Sequence, residues 1–267
     1  MQKSVNKRHI GEAYYVGDPA EFKARNKAEW IKNADFWLQG KMRHLADVYD
    51  TVVLELRQIL FAQSKPEAEV LVIDTGCGEG WAMRALADAG FVGRYVGLDF
   101  NPVFVETLRE KYCDDENKEF RLNDLEEDIP EDLVSQGQVI LNFFNLFELP
   151  QLDIAFHNIS RLVAPGGSLL ILHIDPMMQL LAISASLEEF YGNLKLYEQH
   201  RMHLGYDKDI DIGDTRSGRF YRSLMYTVSD YMRCAKAQGL HFENMYEIVK
   251  TGNYVPQIYQ VLHVKRD

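Results

Sequence analysis

Three glycines at alternating positions, Gly76, Gly78 and Gly80, follow Asp74 in the stretch Val70-Leu-Val-Ile-Asp-Thr-Gly-Cys-Gly-Glu-Gly-Trp81. Glycines this dense allow tight turns and let a ligand lie against the main chain. In a dinucleotide turn of the form G-x-G-x-x-G the third glycine would fall at position 81, which is Trp here, so the spacing departs from the pyrophosphate-binding form. A second acid, Asp99, closes Gly97-Leu98-Asp99-Phe100, where a carboxylate can accept from both hydroxyls of a ribose. The competing role for Asp99 is a helix N-cap. Further on lie Asn123-Asp124-Leu125, in which Asp124 competes with a plain solvated loop acid, and Asn142-Phe143-Phe144-Asn145-Leu146-Phe147-Glu148.

The pattern around these residues supplies the elements that position them. Val70 to Ile73 is a short, continuous apolar run, as expected for a strand buried on both faces of a parallel sheet. A helix pattern follows from Trp81 to Ala89. Strands are then expected at Tyr95–Leu98, Phe120–Leu122, Gln138–Leu141 and Ser168–Ile174, with helices at Val103–Tyr112 and Leu152–Leu162. The turn Pro165-Gly166-Gly167 precedes the fifth strand. Alternation of this kind points to a doubly wound α/β sheet. Val228 to Gln238 reads as a returning helix, and His241–Val249 with Gln257–Val264 as a terminal antiparallel pair, giving a mostly parallel, seven-stranded sheet. Residues 1–66, helical in pattern from about Asp18 to Gln63, read as an N-terminal cap on a domain spanning 67–267. Residues 175–222 break the alternation as an insertion of lid length, helical in its first half and a polar loop from Asp207 to Gly218.

Taken in order, these segments resemble the class I S-adenosylmethionine-dependent methyltransferase family, close to its small-molecule members. The Asp-x-Gly-Cys-Gly-x-Gly turn, the acidic end of the second strand, the Asp after the third and Leu-x-x-Pro-Gly-Gly before the fifth carry the resemblance over about residues 68–175. It implies S-adenosylmethionine as cofactor. Asp74, Gly76, Cys77 and Gly78 would face its methionine part, Asp99 its ribose hydroxyls and Phe100 its adenine. Asp124 would accept from the adenine amino group with Leu125 beside it, and Asn142 and Phe143 would line the end near the reactive methyl. Asn142 stands where metal-dependent catechol-type members have an acid, so no metal site is expected.

A sulfonium methyl is already activated, so the enzyme's main task is to hold nucleophile, carbon and sulfur in line, which can supply on the order of 7–11 kcal/mol. A general base helps only a protonated nucleophile. The candidates are His173, closing the fifth strand where ligands bind in open α/β sheets, and Glu148, after the fourth; Asp175 shares the face of His173 by strand alternation. A structural histidine and a fold-bracing glutamate are the competing readings. Substrate contacts are expected from the variable parts: Tyr15 and Trp37 in the cap, and Arg219, Tyr221 and Arg222 in the insertion. One arginine there could hold a carboxylate or phosphate, unless it pairs with the aspartates at 207, 209, 211 and 214.

The 267 residues are 46% hydrophobic and 26% charged, with a net charge of −11. That balance argues against a sequence-independent grip on nucleic acid. Three widely spaced cysteines form no C-x-x-C pair, which suggests neither a disulfide framework nor a zinc site and fits a reducing cytoplasm. No apolar run has membrane-spanning length, and residues 1–15 lack a secretory signal's apolar core. The expectation is therefore a cytoplasmic methyltransferase, monomer or homodimer, with a small-molecule partner and neither nucleic acid nor membrane. The rival readings are an RNA or protein methyltransferase and a non-catalytic binding module of the same fold.

Overall fold

A computed structural model describes residues 18–39, 46–61, 66–177, 186–188, 190–192, 194, 208–211, 220–224, 226–250 and 257–267. The N-terminal region gives three helices, α1 (Pro19–Lys32), α2 (Ala34–Leu38) and α3 (Ala46–Phe61). The chain then alternates through β1 (Leu71–Thr75), α4 (Trp81–Asp88), β2 (Arg94–Asp99), α5 (Pro102–Lys111), β3 (Lys118–Leu122), β4 (Gly137–Phe143), α6 (Leu152–Leu162) and β5 (Val163–Ile174). A hairpin of β6 (Lys208–Asp211) and β7 (Phe220–Ser223) follows, then α7 (Val228–Ala237), β8 (Leu240–Lys250) and β9 (Gln257–Arg266).

Seven strands form one sheet in the order β3-β2-β1-β4-β5-β9-β8. The pairs from β3 to β5 are parallel, and β9 runs antiparallel to both β5 and β8. β1 is buried along its whole length, as its unbroken apolar run requires. One face carries α3, α4 and α5, whose Val52, Leu56, Met83, Leu86, Val105 and Leu108 pack on Val72, Val139 and Leu170. The other carries α6 and α7, with Phe156, Ile159, Tyr231 and Cys234 against Ile73, Ile140 and Ile171. Phe22 of α1 joins this second core. Of the N-terminal helices, α3 is thus part of the three-layer body.

Two segments differ from expectation. β5 begins at Val163, so Pro165, Gly166 and Gly167 lie within the strand. The expected loop from Asp207 begins as strand β6, paired to β7 across intervening residues; with one apolar residue in Lys-Asp-Ile-Asp it carries no local strand signal.

The order of strands makes β1 and β4 neighbours from which the chain departs in opposite directions. Their carboxyl ends therefore frame the crevice where open α/β sheets bind ligands.

Candidate active site

The glycine bend and Asp99 meet at that crevice. Gly76 N and Cys77 N both donate to Leu98 O, at 2.7 and 3.0 Å, so the bend is tied to the end of β2. Gly78 N then donates to Asp99 Oδ2 at 2.8 Å. Asn101 N donates to Asp99 Oδ1 at 2.8 Å. Each carboxylate oxygen thus takes one backbone N–H and keeps a lone pair for a further donor. The N-cap of α5 is Asn101, which accepts from Val103 N at 3.0 Å, so Asp99 does not have that job. Burial raises the Asp99 pKa to about 6, against the backbone N–H groups that favour its charged form.

Gly76 and Gly78 both have positive φ, 81° and 51°. A Cβ at Gly76 would come within 2.7 Å of the Asn145 side chain, whereas one at Gly78 would meet nothing within 4 Å. The first glycine permits a close approach of two chain segments, and the second leaves open space beside the main chain.

A cleft opens here. Gly76, Cys77 and Gly78 form its floor, Asp99, Phe100 and Phe143 its walls, and Trp37 part of its roof. All three tryptophans of the chain line it, together with Tyr49, Phe104 and Phe144. An adjoining recess is lined by Phe100, Asn123, Asp124 and Leu125, and shares Gly76, Asp99, Asn145 and Glu148 with the first. Burial, with Asp99 and Asp74 nearby, pushes the Cys77 thiol pKa up, so it stays a neutral thiol.

Helix α1 lies over this recess. Its Lys23, Asn26, Lys27 and Trp30 recur at i, i+3, i+4 and i+7 and so share one helical face; all four line the recess. Lys27 pairs with Asp124 and sits 5.4 Å above the Phe100 ring. Lys23 reaches Asp124 at 2.7 Å. Burial works against ionisation of Asp124, but the hydrogen bonds from Lys23 and Lys27 outweigh it and hold its pKa below the usual value. Trp30 donates its indole N–H to Glu148 and accepts at its carbonyl from Asn101 Nδ2 at 3.1 Å. Burial lifts the Glu148 pKa to about 8, opposed by the Trp30 hydrogen bond and aided by Asp99. β7 runs beside α1 and the Leu146–Glu148 turn, and Leu224 N donates to Phe147 O at 2.6 Å. The cap helix and the insertion therefore meet beside Glu148.

Three expected site residues stand elsewhere among the described residues. Asp74 is buried behind the bend, where it accepts from Tyr95 Oη. It pairs opposite Gly97, and Tyr95, two positions earlier on the same face, reaches it. Burial raises its pKa to about 7 against that hydrogen bond. Asn142 is fully buried and donates to Thr75 O at 3.1 Å and Thr75 Oγ1 at 3.0 Å. The residue that lines the cleft is Asn145, three positions on. His173 points to the α7 face, edge-on to Tyr231 with ring centroids 4.8 Å apart, and lines neither part of the cleft. Burial lowers its pKa to about 4, against the Ile174 carbonyl contact and Asp175. In each case a residue at a strand's end follows the strand's alternation into a core face. Tyr15 and Arg219 lie outside the described residues, and Tyr221 and Arg222 belong to β7, of which only the backbone is described.

The sequence reading missed Lys23, Asn26, Lys27, Trp30, Tyr49 and Asn145. Trp30 and Tyr49 fit an apolar helical period and looked like core; the mixed Lys-Asn-Lys-Trp face was the available signal for α1.

Residues 72–167 match the family model of a methyltransferase domain. No curated protein matches the chain. Among solved structures it is similar to an S-adenosylmethionine-dependent methyltransferase from Mesorhizobium loti, at 15% identity over 80% of this chain and 96% of that one, with a TM-score of 0.55. It is also similar to magnesium protoporphyrin IX methyltransferase from Synechocystis, with bound S-adenosylhomocysteine, at 15% identity over 92% and 100% of the two chains and a TM-score of 0.57. A methyltransferase from Methanosarcina mazei aligns at 12% identity over 75% and 94%, with a TM-score of 0.58. At such identities these likenesses establish the fold. The family match identifies residues 72–167 as a methyltransferase domain, set in a seven-stranded sheet of this order.

Proposed function

We propose that the chain transfers a methyl group from S-adenosylmethionine to a small organic acceptor. In this reading the segment before α3 and the 175–222 insertion together cover the site, while α3 belongs to the body of the 67–267 domain on whose sheet it packs. The observation that carries it is the cover itself: α1 lies across the recess beside Asp99 and Asp124, and β7 runs alongside it. The crevice left below is concave and mostly aromatic-lined with a few polar groups, as small-ligand sites are. The acidic chain supports a small acceptor over a nucleic acid, and we assign the protein to the cytoplasm, as monomer or homodimer. Among the described residues no helix is long and apolar enough to cross a membrane.

The residues fit the cofactor where it can be tested. Gly78 leaves room beside its main chain, and Asp99 has spare acceptor capacity for two hydroxyls. When bound, the cofactor supplies an electrophilic methyl. In this reading Gly76, Cys77 and Gly78 hold its methionine part, Asp99 its ribose, and Phe100, Asp124 and Leu125 its adenine. Phe143 and Asn145 border the reacting end. Glu148 lies in the cleft, where His173 does not, but it holds its own proton up to about pH 8, so in this reading it donates a hydrogen bond to the acceptor rather than taking its proton. A screen of small metabolites for S-adenosylhomocysteine release tests the proposal; release only on RNA or protein would reject it.

A further inference from the structure

The end of the cleft beyond Gly76 has an aromatic wall. Tyr49 of α3 is its centre, with ring centroids 5.6 Å from Trp81, 6.0 Å from Phe143 and 6.1 Å from Phe144. Phe143 and Phe144 leave β4 consecutively, and both reach this wall because Phe144 has φ 56°, a left-handed conformation costly for a bulky residue. A hydrogen bond from Phe144 N to Leu172 O at 2.8 Å holds the turn. The acids lining this part of the cleft among the described residues are Glu79, Asp99 and Glu148. Glu79 pairs with Arg84 at 3.5 Å, whose guanidinium lies 5.2 Å from the Trp81 ring centroid, and Glu148 holds its proton up to about pH 8. Rings offer their negative faces to cations, and the Asp99 carboxylate adds a field of the same sign.

We propose that Tyr49, Phe143 and Phe144 hold a positive charge at the reacting centre, and that the methyl acceptor is an uncharged amine nitrogen rather than an oxyanion. The proposal rests on the methyl-transfer reading above and names its substrate class. Methylating an amine forms an N–C bond from the nitrogen lone pair and breaks the C–S bond, whose electrons stay on sulfur. The positive charge passes from sulfur to nitrogen and is present throughout, so a wall that favours a cation does not oppose the transition state. A proton then leaves the nitrogen for solvent, since Glu148 already holds one up to about pH 8. With a phenolate or carboxylate acceptor the charges would cancel as the bond formed. The same wall would favour the starting state, and the Asp99 carboxylate would repel the acceptor.

Two neutral-versus-cationic probes read the wall without turnover: S-adenosylhomocysteine, and sinefungin, which bears an ammonium where the cofactor bears its sulfonium methyl. By calorimetry, sinefungin should bind about tenfold or more tighter than S-adenosylhomocysteine to the wild type and to Tyr49→Phe. The ratio should fall below about threefold in Tyr49→Leu and in Phe144→Leu. Phe144→Leu carries the test if Tyr49→Leu fails to fold. Equal affinity for the two probes, or a ratio unchanged in a folded leucine variant, overturns the proposal while leaving the methyl-transfer reading intact. Binding of neither probe overturns both. In a matched panel of amines, phenols and carboxylates, S-adenosylhomocysteine should be released with amines; release with phenols or carboxylates instead also overturns it.

Discussion

Trp30 of α1 donates its indole N–H to the Glu148 carboxylate, 118 positions along the chain. The contact ties the helix over the crevice to the turn after β4, and it gives a desolvated carboxyl a hydrogen-bond donor. Trp30→Phe keeps the ring and removes that donor. Affinity for S-adenosylmethionine should drop about three- to tenfold, and stability by about 1–2 kcal/mol. Calorimetry and urea unfolding check the two effects.

The raised Glu148 pKa makes a prediction with a definite sign. The folded protein holds this proton up to about pH 8, whereas an unfolded glutamate releases it near its ordinary value. Glu148 therefore lowers stability progressively as pH rises from about 4.5 to about 8, and the loss is complete above that. Glu148→Gln should be more stable than the wild type at pH 8.5 by about 1–2 kcal/mol, after discounting for partial solvent contact, and close to it at pH 5. Melting temperatures across this range decide the point.

His173 should behave in the opposite sense. Its folded pKa near 4 lies below that of a free histidine, so acid protonates the unfolded chain first. Stability should fall as pH drops from about 6.5 to about 4, by about 2–3 kcal/mol from this residue. His173→Phe preserves the ring against Tyr231 and should remove that part of the acid sensitivity. Cofactor affinity at pH 7.5 should be unchanged, since the imidazole lines neither part of the cleft.

The two glycines of the bend separate folding from binding. Gly76→Ala places a methyl against Asn145 in a left-handed conformation and should destabilise the protein by about 2–4 kcal/mol. Gly78→Ala meets no atom and should cost only about 1 kcal/mol of stability, yet weaken S-adenosylmethionine binding at least about tenfold by filling ligand space. Unfolding and binding curves on both variants test the contrast.

Lys23 and Lys27 both pair with Asp124, so removing them strands a mostly buried carboxylate. Lys23→Met with Lys27→Met should cost about 1–3 kcal/mol at pH 7. The low Asp124 pKa stabilises the wild type above the ordinary aspartate value, and that contribution disappears as pH falls through the folded value. The double variant should lack it, so the gap between the two proteins should narrow toward pH 3 in urea titrations.

The sheet and the Gly76–Asp99 relation were legible because they are local: a buried apolar run, a glycine turn and an acid at a strand's end each leave a mark within a few residues. The roof was not. Trp30 meets Glu148, Lys27 meets Asp124 and Tyr49 meets Phe143 only through tertiary packing, and an apolar helical period looks the same whether it faces a core or a ligand. The family resemblance puts Asp74 and Asn142 at the cofactor, and its place at a strand's end puts His173 in the crevice. Strand alternation and hydrogen-bond satisfaction by Tyr95 and Thr75 turned the first two inward, and packing on Tyr231 turned the third.

The account stands on Asp99 anchoring the cofactor beside the glycine bend. Titrating S-adenosylmethionine calorimetrically into the folded wild type should give saturable heat with one site per chain and a dissociation constant in about the micromolar range, weakened about a hundredfold or more in Asp99→Ala. A folded wild type that gives no heat, or an Asp99→Ala variant that binds equally well, would contradict it.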